Sequence, residues 1–150
     1  MLEVAEVAPE FSLPNQKGVI VNLADFRGKK VVVYFYLKDE TSGCTKQACS
    51  FRDYYDEFKK RNVEILGISF DNKKSHRQFI EKFNLPFQLL SDINTYVATI
   101  YGVYGEKVIY GKNYMSIHRT TFLIDEDGII EYIFRKVRPA YHAKDVLEVL

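Results

Sequence analysis

The sequence predicts an α/β domain with a mixed sheet covered by helices on both faces. Three observations predict it. The run V-V-V-Y-F-Y-L at 31–37 is apolar at every position, as a strand buried on both faces must be. A strand–helix–strand pattern follows over 31–70, and two strands so joined pair in parallel through a right-handed crossover. Two apolar runs at 119–125 and 129–135 flank the turn-like E-D-G and add antiparallel strands.

In chain order, Phe11 to Leu13, the turn-like P-N-Q-K-G and Val19 to Leu23 predict an N-terminal hairpin. Strand 31–37 leads into a helix over 42–61. Its apolar stripe is Ala48, Phe51, Tyr55 and Phe58, and the pairs Arg52/Asp56, Asp56/Lys60 and Glu57/Arg61 are spaced four apart on the other side. V-E-I-L-G-I-S-F at 63–70 is the next strand. A helix starts at Asp71 or Asn72, turns Phe79, Ile80 and Phe83 inward, and ends at N-L-P. Phe87 to Leu90 is a short strand, and Asn94 to Tyr101 a short helix closed by Gly102. The 119–135 hairpin and a helix from Tyr141 to Leu150 complete the chain.

The length of 150 residues fits one domain, and 47% hydrophobic residues, with eleven Phe and eleven Tyr, are enough for a core. A net charge of +1 offers no broad field for nucleic acid or an anionic membrane, so neither is an expected partner. The run 31–37 is too short to cross a bilayer. The first ten residues hold no long apolar run, so the expectation is a cytoplasmic protein without a secretory leader. Two cysteines in a reducing compartment point to redox or metal chemistry rather than to a permanent staple. Zinc would need more ligands than Cys44 and Cys49, and His76, His118 and His142 are scattered, so no metal or cofactor is expected.

The stretch L-K-D-E-T-S-G-C-T-K-Q-A-C-S at 37–50 holds both thiols. Sites in such sheets form where strands end and helices begin, and this stretch lies there. With Thr41 as N-cap, Cys44 falls in the first turn, where unpaired N–H groups and the helix dipole favour an anion. Helix N-termini and nearby cations lower thiol pKa values, which makes the position suitable for a reactive thiolate. Cys49 lies about 7.5 Å further along a regular helix and points about 140° away. A disulfide needs Cα atoms within about 7 Å, so bonding the two requires the start of the helix to unwind. The pattern also allows Cys49 to be a small core residue beside Ala48 and Phe51, and Arg119 to be a surface ion-pair residue.

The segment Y-F-Y-L-K-D-E-T-S-G-C-T-K-Q-A-C-S-F-R-D resembles the active-site segment of the peroxiredoxins, most closely the bacterioferritin comigratory protein (PrxQ) subfamily. The likeness continues through A-P-E-F-S-L-P-N-Q-K-G, L-G-I-S-F-D, S-H-R-Q-F, N-L-P-F-Q-L-L-S-D, Y-G-V-Y-G-E-K and R-T-T-F-L-I-D-E-D-G. The resemblance implies one thioredoxin-like domain of the AhpC/TSA type over residues 1–150, and thiol-dependent reduction of hydrogen peroxide and organic hydroperoxides. It implies Cys44 as the peroxidatic cysteine and Thr41 as the residue that hydrogen-bonds the peroxide. Arg119 is then the arginine that holds thiolate and substrate, and Cys49 the resolving cysteine. Two positions depart from the family pattern. Leu37 stands where the motif usually begins with proline, restoring an N–H while keeping apolar bulk, and Ser42 stands where T-P-G-C-T is common.

On this reading a thiolate at Cys44 becomes a sulfenic acid, Cys49 converts it to a disulfide, and a thioredoxin-type dithiol restores both thiols. A monomer is expected, because resolution can occur within one chain. Two other readings use the same residues. One is a general dithiol–disulfide oxidoreductase, and the other a redox-regulated holdase or binding module that does not turn over.

Overall fold

Lys30–Phe35 (β3) occupies the middle of a five-stranded sheet in the computed structural model, which describes residues 1–150. On one side it pairs in parallel with Val63–Ser69 (β4), which pairs in parallel with Gln88–Ser91 (β5). On the other it pairs antiparallel with Thr120–Ile124 (β8), followed by antiparallel Ile130–Phe134 (β9). The sheet is mixed, as the run patterns predict. Because strand side chains alternate, Val31, Val33 and Phe35 enter one core, and Val32, Tyr34 and Tyr36 the other.

The first core is closed by the hairpin Ser12–Pro14 (β1) and Ile20–Asn22 (β2) and by Tyr96–Ile100 (α4), through Leu13, Val21, Val97 and Ala98. The second is closed by Ser42–Asp53 (α1), Tyr55–Lys60 (α2), Lys73–Phe83 (α3) and His142–Leu147 (α5). These bring Ala48, Phe51, Phe58, Phe79, Ala143 and Val146 onto the sheet. Burial of each such Phe contributes roughly 1.5–3 kcal/mol. One close approach depends on a missing side chain. A Cβ at Gly67 in β4 would lie 2.7 Å from Leu89 Cδ2 and 2.8 Å from Tyr34 Cζ, so only glycine leaves room there for the Tyr34 ring, which stacks on Phe51 of α1.

Two expectations need correction. The helix predicted over 42–61 is interrupted at Tyr54, whose φ of −106° and ψ of 9° are not helical. Tertiary anchors on either side outweigh helix propensity there: Arg52 Nη1 donates to the Phe83 carbonyl at 2.9 Å and Tyr55 donates to Glu64 at 3.1 Å. The i,i+4 ion pairs do not form; Arg52 meets Asp53 and Lys60 meets Glu57. The second difference is an added hairpin, Tyr104–Ile109 (β6) with Lys112–Ile117 (β7), in a region to which the sequence pattern assigns no element. Its turn is Tyr110-Gly111, with φ of 51° and 76°. Positive φ at both central residues marks a tight hairpin turn, but the usual Asn-Gly or Asp-Gly signal is absent.

Candidate active site

The helix α1 begins where the sequence places it. Thr41 is extended (φ −70°, ψ 154°), Ser42 is the first helical residue, and Cys44 lies in the first turn. The N–H groups of Ser42, Gly43 and Cys44 have no acceptor within the protein, and the first intrahelical bond runs from the Thr45 N–H to the Thr41 carbonyl at 2.8 Å. The Thr41 side chain does not cap the helix. Its hydroxyl donates to the Lys38 carbonyl at 2.8 Å, which keeps the helix N–H groups free and leaves the oxygen able to accept a hydrogen bond from a ligand. Cys44 is 1% exposed and packs with the core under α1.

Sheet register brings Arg119 to this point. Phe35 pairs with Thr120, so the residue just before β8 lies beside the carboxyl end of β3. The Arg119 guanidinium then spans two side chains of α1: Nη2 donates to Cys44 Sγ at 3.3 Å and Nη1 to Gln47 Oε1 at 2.6 Å. Cys44 and Gln47 are three residues apart and share a helix face. A Cβ on Gly43 would sit 3.2 Å from Arg119 Nη2, so the glycine leaves room for the guanidinium. Gln47 was not singled out from sequence. It is fully buried, and its Nε2 has no hydrogen-bond partner. The available signal was its i,i+3 spacing from Cys44.

Cys49 lies in the same helix, half-buried, and both cysteines are free thiols. Burial pushes the Cys49 thiol above its ordinary range; Arg52 opposes this and Asp53 adds to it. The regular helix from Ser42 to Asp53 holds the two residues in the separated geometry that forbids a disulfide without unwinding. Past Cys49, the Ser50 hydroxyl accepts the Ala143 N–H at 3.0 Å, tying α1 to the start of α5.

The remaining candidates fall as follows. His142 is buried at the start of α5, bonded to Thr121 Oγ1 at 2.7 Å and held between the edges and faces of Phe51 and Phe134. Burial lowers its pKa to about 4; Asp145 opposes this and Arg119 adds to it. His118 is exposed. His76 is buried in α3, within a polar cluster below the 37–41 loop. Leu37, expected as apolar cover, is 47% exposed. A hollow of about 390 Å³ opens beside Gly43, bounded by Lys46 and the turn Arg138-Pro139-Ala140-Tyr141. A larger one of about 1040 Å³, between β1 and the start of α4, contains neither cysteine. No helix is long and apolar enough to cross a membrane.

A buried thiol beside a guanidinium, at the unpaired start of a helix, suits nucleophilic attack on a small electrophile whose leaving atom gathers negative charge. Known proteins share the arrangement's frame. Residues 4–133 match the AhpC/TSA family. The chain is 50% identical over 149 residues to peroxiredoxin Bcp of Escherichia coli, covering 99% of this chain and 96% of that one. It is 49% identical over 146 residues to a protein of Coxiella burnetii described as a putative peroxiredoxin bcp, covering 97% of each. Among solved structures, the bacterioferritin comigratory protein of Xanthomonas campestris superposes with a TM-score of 0.89 at 36% identity, over 99% of this chain and 94% of that one. PrxQ of Xylella fastidiosa gives 0.93 at 29% identity, with the same coverage. The chain has the thioredoxin-like fold of these proteins and belongs to the AhpC/TSA family, as a thiol-dependent peroxidase of the bacterioferritin comigratory protein (PrxQ) type.

Proposed function

We propose that Cys44 is the peroxidatic residue, that Arg119 and Thr41 are its catalytic partners, and that Cys49 resolves the oxidised sulfur within the same chain. The observation that carries this reading is the Arg119 guanidinium 3.3 Å from Cys44 Sγ, at a helix start with three unpaired N–H groups. A positive, planar donor there stabilises charge on sulfur and on the oxygens of an incoming peroxide. The thiolate sulfur forms a bond to one peroxide oxygen as the O–O bond breaks. The other oxygen leaves with the electron pair and is protonated to water or an alcohol. Thr41 Oγ1 and the N–H groups of Gly43 and Cys44 orient the peroxide. Cys44 is left as a sulfenic acid.

Resolution begins when the first turns of α1 unwind. Cys49 as thiolate attacks the Cys44 sulfur, the S–S bond forms, and hydroxide leaves and is protonated to water. The raised Cys49 pKa keeps that thiol protonated in the reduced helix. An external dithiol of the thioredoxin type then reduces the disulfide by thiolate exchange. The Xanthomonas campestris protein is described in connection with alkyl peroxide reduction. Organic hydroperoxides are accordingly proposed as substrates here beside hydrogen peroxide, and the hollow next to Gly43 supplies space for an organic group. A cytoplasmic monomer that defends against oxidants is the proposed setting.

The test is peroxide treatment of wild type, Cys44→Ser and Cys49→Ser, read by intact mass. An internal disulfide is expected in wild type, a trappable sulfenic acid in Cys49→Ser, and little fast reaction in Cys44→Ser. Peroxide consumption by Cys44→Ser at the wild-type rate overturns the assignment.

A further inference from the structure

Directly below the site loop lies a buried polar cluster that the sulfur chemistry does not use. The Asp39 side chain is 1% exposed and that of His76 0%. The Asp39 carboxylate accepts from the Tyr36 hydroxyl at 2.5 Å and from the Ser75 hydroxyl at 2.8 Å, and it faces His76 Nδ1 at 2.7 Å. The other ring nitrogen, Nε2, faces the Leu90 carbonyl at 3.1 Å. The Asp39 N–H donates to Asp71 Oδ2 at 2.8 Å, and that oxygen also accepts from Ser69 at 2.7 Å. Each ring nitrogen of His76 therefore faces an acceptor oxygen, a carboxylate at Nδ1 and a carbonyl at Nε2.

Asp39, Asp71 and His76 bring ligand-type atoms within 4.8 Å of one another, a spacing that could hold a metal ion. The hydrogen bonds argue against that use. Tyr36, Ser75 and His76 already occupy three acceptor positions of the Asp39 carboxylate, and the Asp39 N–H and Ser69 occupy Oδ2 of Asp71. What the cluster does is pin one loop residue to the ends of β3, β4 and β5 and to α3. The next residue, Glu40, has a φ of 62°, a left-handed conformation unfavourable for a residue with a Cβ. Thr41 and the first turn of α1 follow at once. The chain therefore passes from a fixed point to a strained joint to the segment that must unwind.

We propose that Asp39, held by the His76 Nδ1 contact, is a positioning residue for the peroxide step and the point at which unwinding of α1 stops. This rests on the proposed Cys44–Cys49 cycle. Fixing Asp39 places Thr41 and the N–H groups of the first turn at constant distance from Cys44. It also confines the locally unfolded segment to residues after 39, so that the helix can re-form when the disulfide is reduced.

Two substitutions of equal kind separate positioning from packing. His76→Asn places an amide N–H near the Nδ1 position and keeps a hydrogen bond to Asp39; His76→Gln places it near Nε2, within reach of the Leu90 carbonyl, and loses the one to Asp39. Both remove the ring. The peroxide step is measured by sulfenic-acid trapping in a Cys49→Ser background. The resolving step is measured by the rate of disulfide formation with Cys49 present, and the unwinding boundary by amide hydrogen exchange of the oxidised protein. In His76→Gln the peroxide step is expected to fall roughly tenfold, the size of a lost charge-assisted hydrogen bond, with no slowing of disulfide formation. Exchange then spreads into residues 36–39. His76→Asn is expected to stay within roughly twofold of wild type in both steps. Ser75→Ala, which removes one donor from the same carboxylate and no ring, moves the peroxide step in the same direction by less. Equal effects of the Gln and Asn variants, or an exchange boundary that stays at residue 40 in His76→Gln, overturn the proposal. A wild type that forms no Cys44–Cys49 disulfide overturns the resolving-cysteine reading itself, and the unwinding boundary with it.

Discussion

Arg119 Nη2 lies 3.3 Å from Cys44 Sγ, although 75 residues separate the two in sequence. The antiparallel register of β3 with β8 creates the contact, and Gly43 makes space for it. Replacing Arg119 with Met is expected to slow sulfenic-acid formation on the order of 10²-fold, the usual loss for one oriented charge-stabilising donor. Arg119→Lys keeps the charge but loses the fork that also reaches Gln47, and recovers only part of the rate. Competition kinetics against a reference peroxidase measures both.

Gln47 separates activity from stability. Gln47→Leu removes the acceptor that orients Arg119 and also removes a buried amide nitrogen with no partner. The peroxide rate is expected to fall roughly tenfold. The urea midpoint is expected to hold or rise, because an unsatisfied buried donor disfavours the fold by about 1–3 kcal/mol. A parallel fall in stability and rate contradicts this account.

His142 predicts a pH dependence of stability. Its folded pKa is lowered to about 4 from an ordinary value near 6.5, so the unfolded chain binds the proton more readily. The stabilising effect of the neutral ring is complete above the unfolded value and is lost as pH falls toward the folded one. Between pH 7 and pH 5 this group alone is expected to remove about 2 kcal/mol of stability. Urea titrations at the two values, compared with His142→Gln, isolate the contribution: the variant's loss over that interval should be smaller by this amount.

Gly67 tests the packing beneath the site. Gly67→Ala forces a methyl group against Leu89 Cδ2 and the Tyr34 ring at 2.7–2.8 Å. Overpacking of a filled core is expected to destabilise the protein by about 1–3 kcal/mol, read as a lower melting temperature. An unchanged melting temperature would mean that the Tyr34 ring has room to move.

The sheet was legible because its central strand is a two-sided apolar run at 31–37, and the end of α3 because its C-cap Asn84, with φ of 52°, matches the N-L-P stop. The start of α1 was legible for a similar reason, since Thr41-Ser42-Gly43 combines an extended residue with small ones. What local sequence does not encode is a contact made by folding. Arg119 carries no local mark of its role; only the family resemblance singled it out. Gln47 and the Asp39–His76 pair become visible when β8 and α3 are brought against α1 and its loop. The interruption at Tyr54 and the β6–β7 hairpin share this origin: neither has the Gly-Pro or Asn-Gly punctuation that would announce it.

The break at Tyr54 limits how far an oxidation event travels. With α1 only twelve residues long, a disulfide that pulls out its opening turns leaves a short remnant anchored by the buried Phe51 and by Ser50 on Ala143. Beyond Tyr54, α2 has its own hydrogen-bonded start and its own hold on the sheet through Tyr55 and Glu64. On the proposed cycle, the sulfur chemistry therefore dismantles and rebuilds its own workplace while the remainder of the molecule keeps its packing.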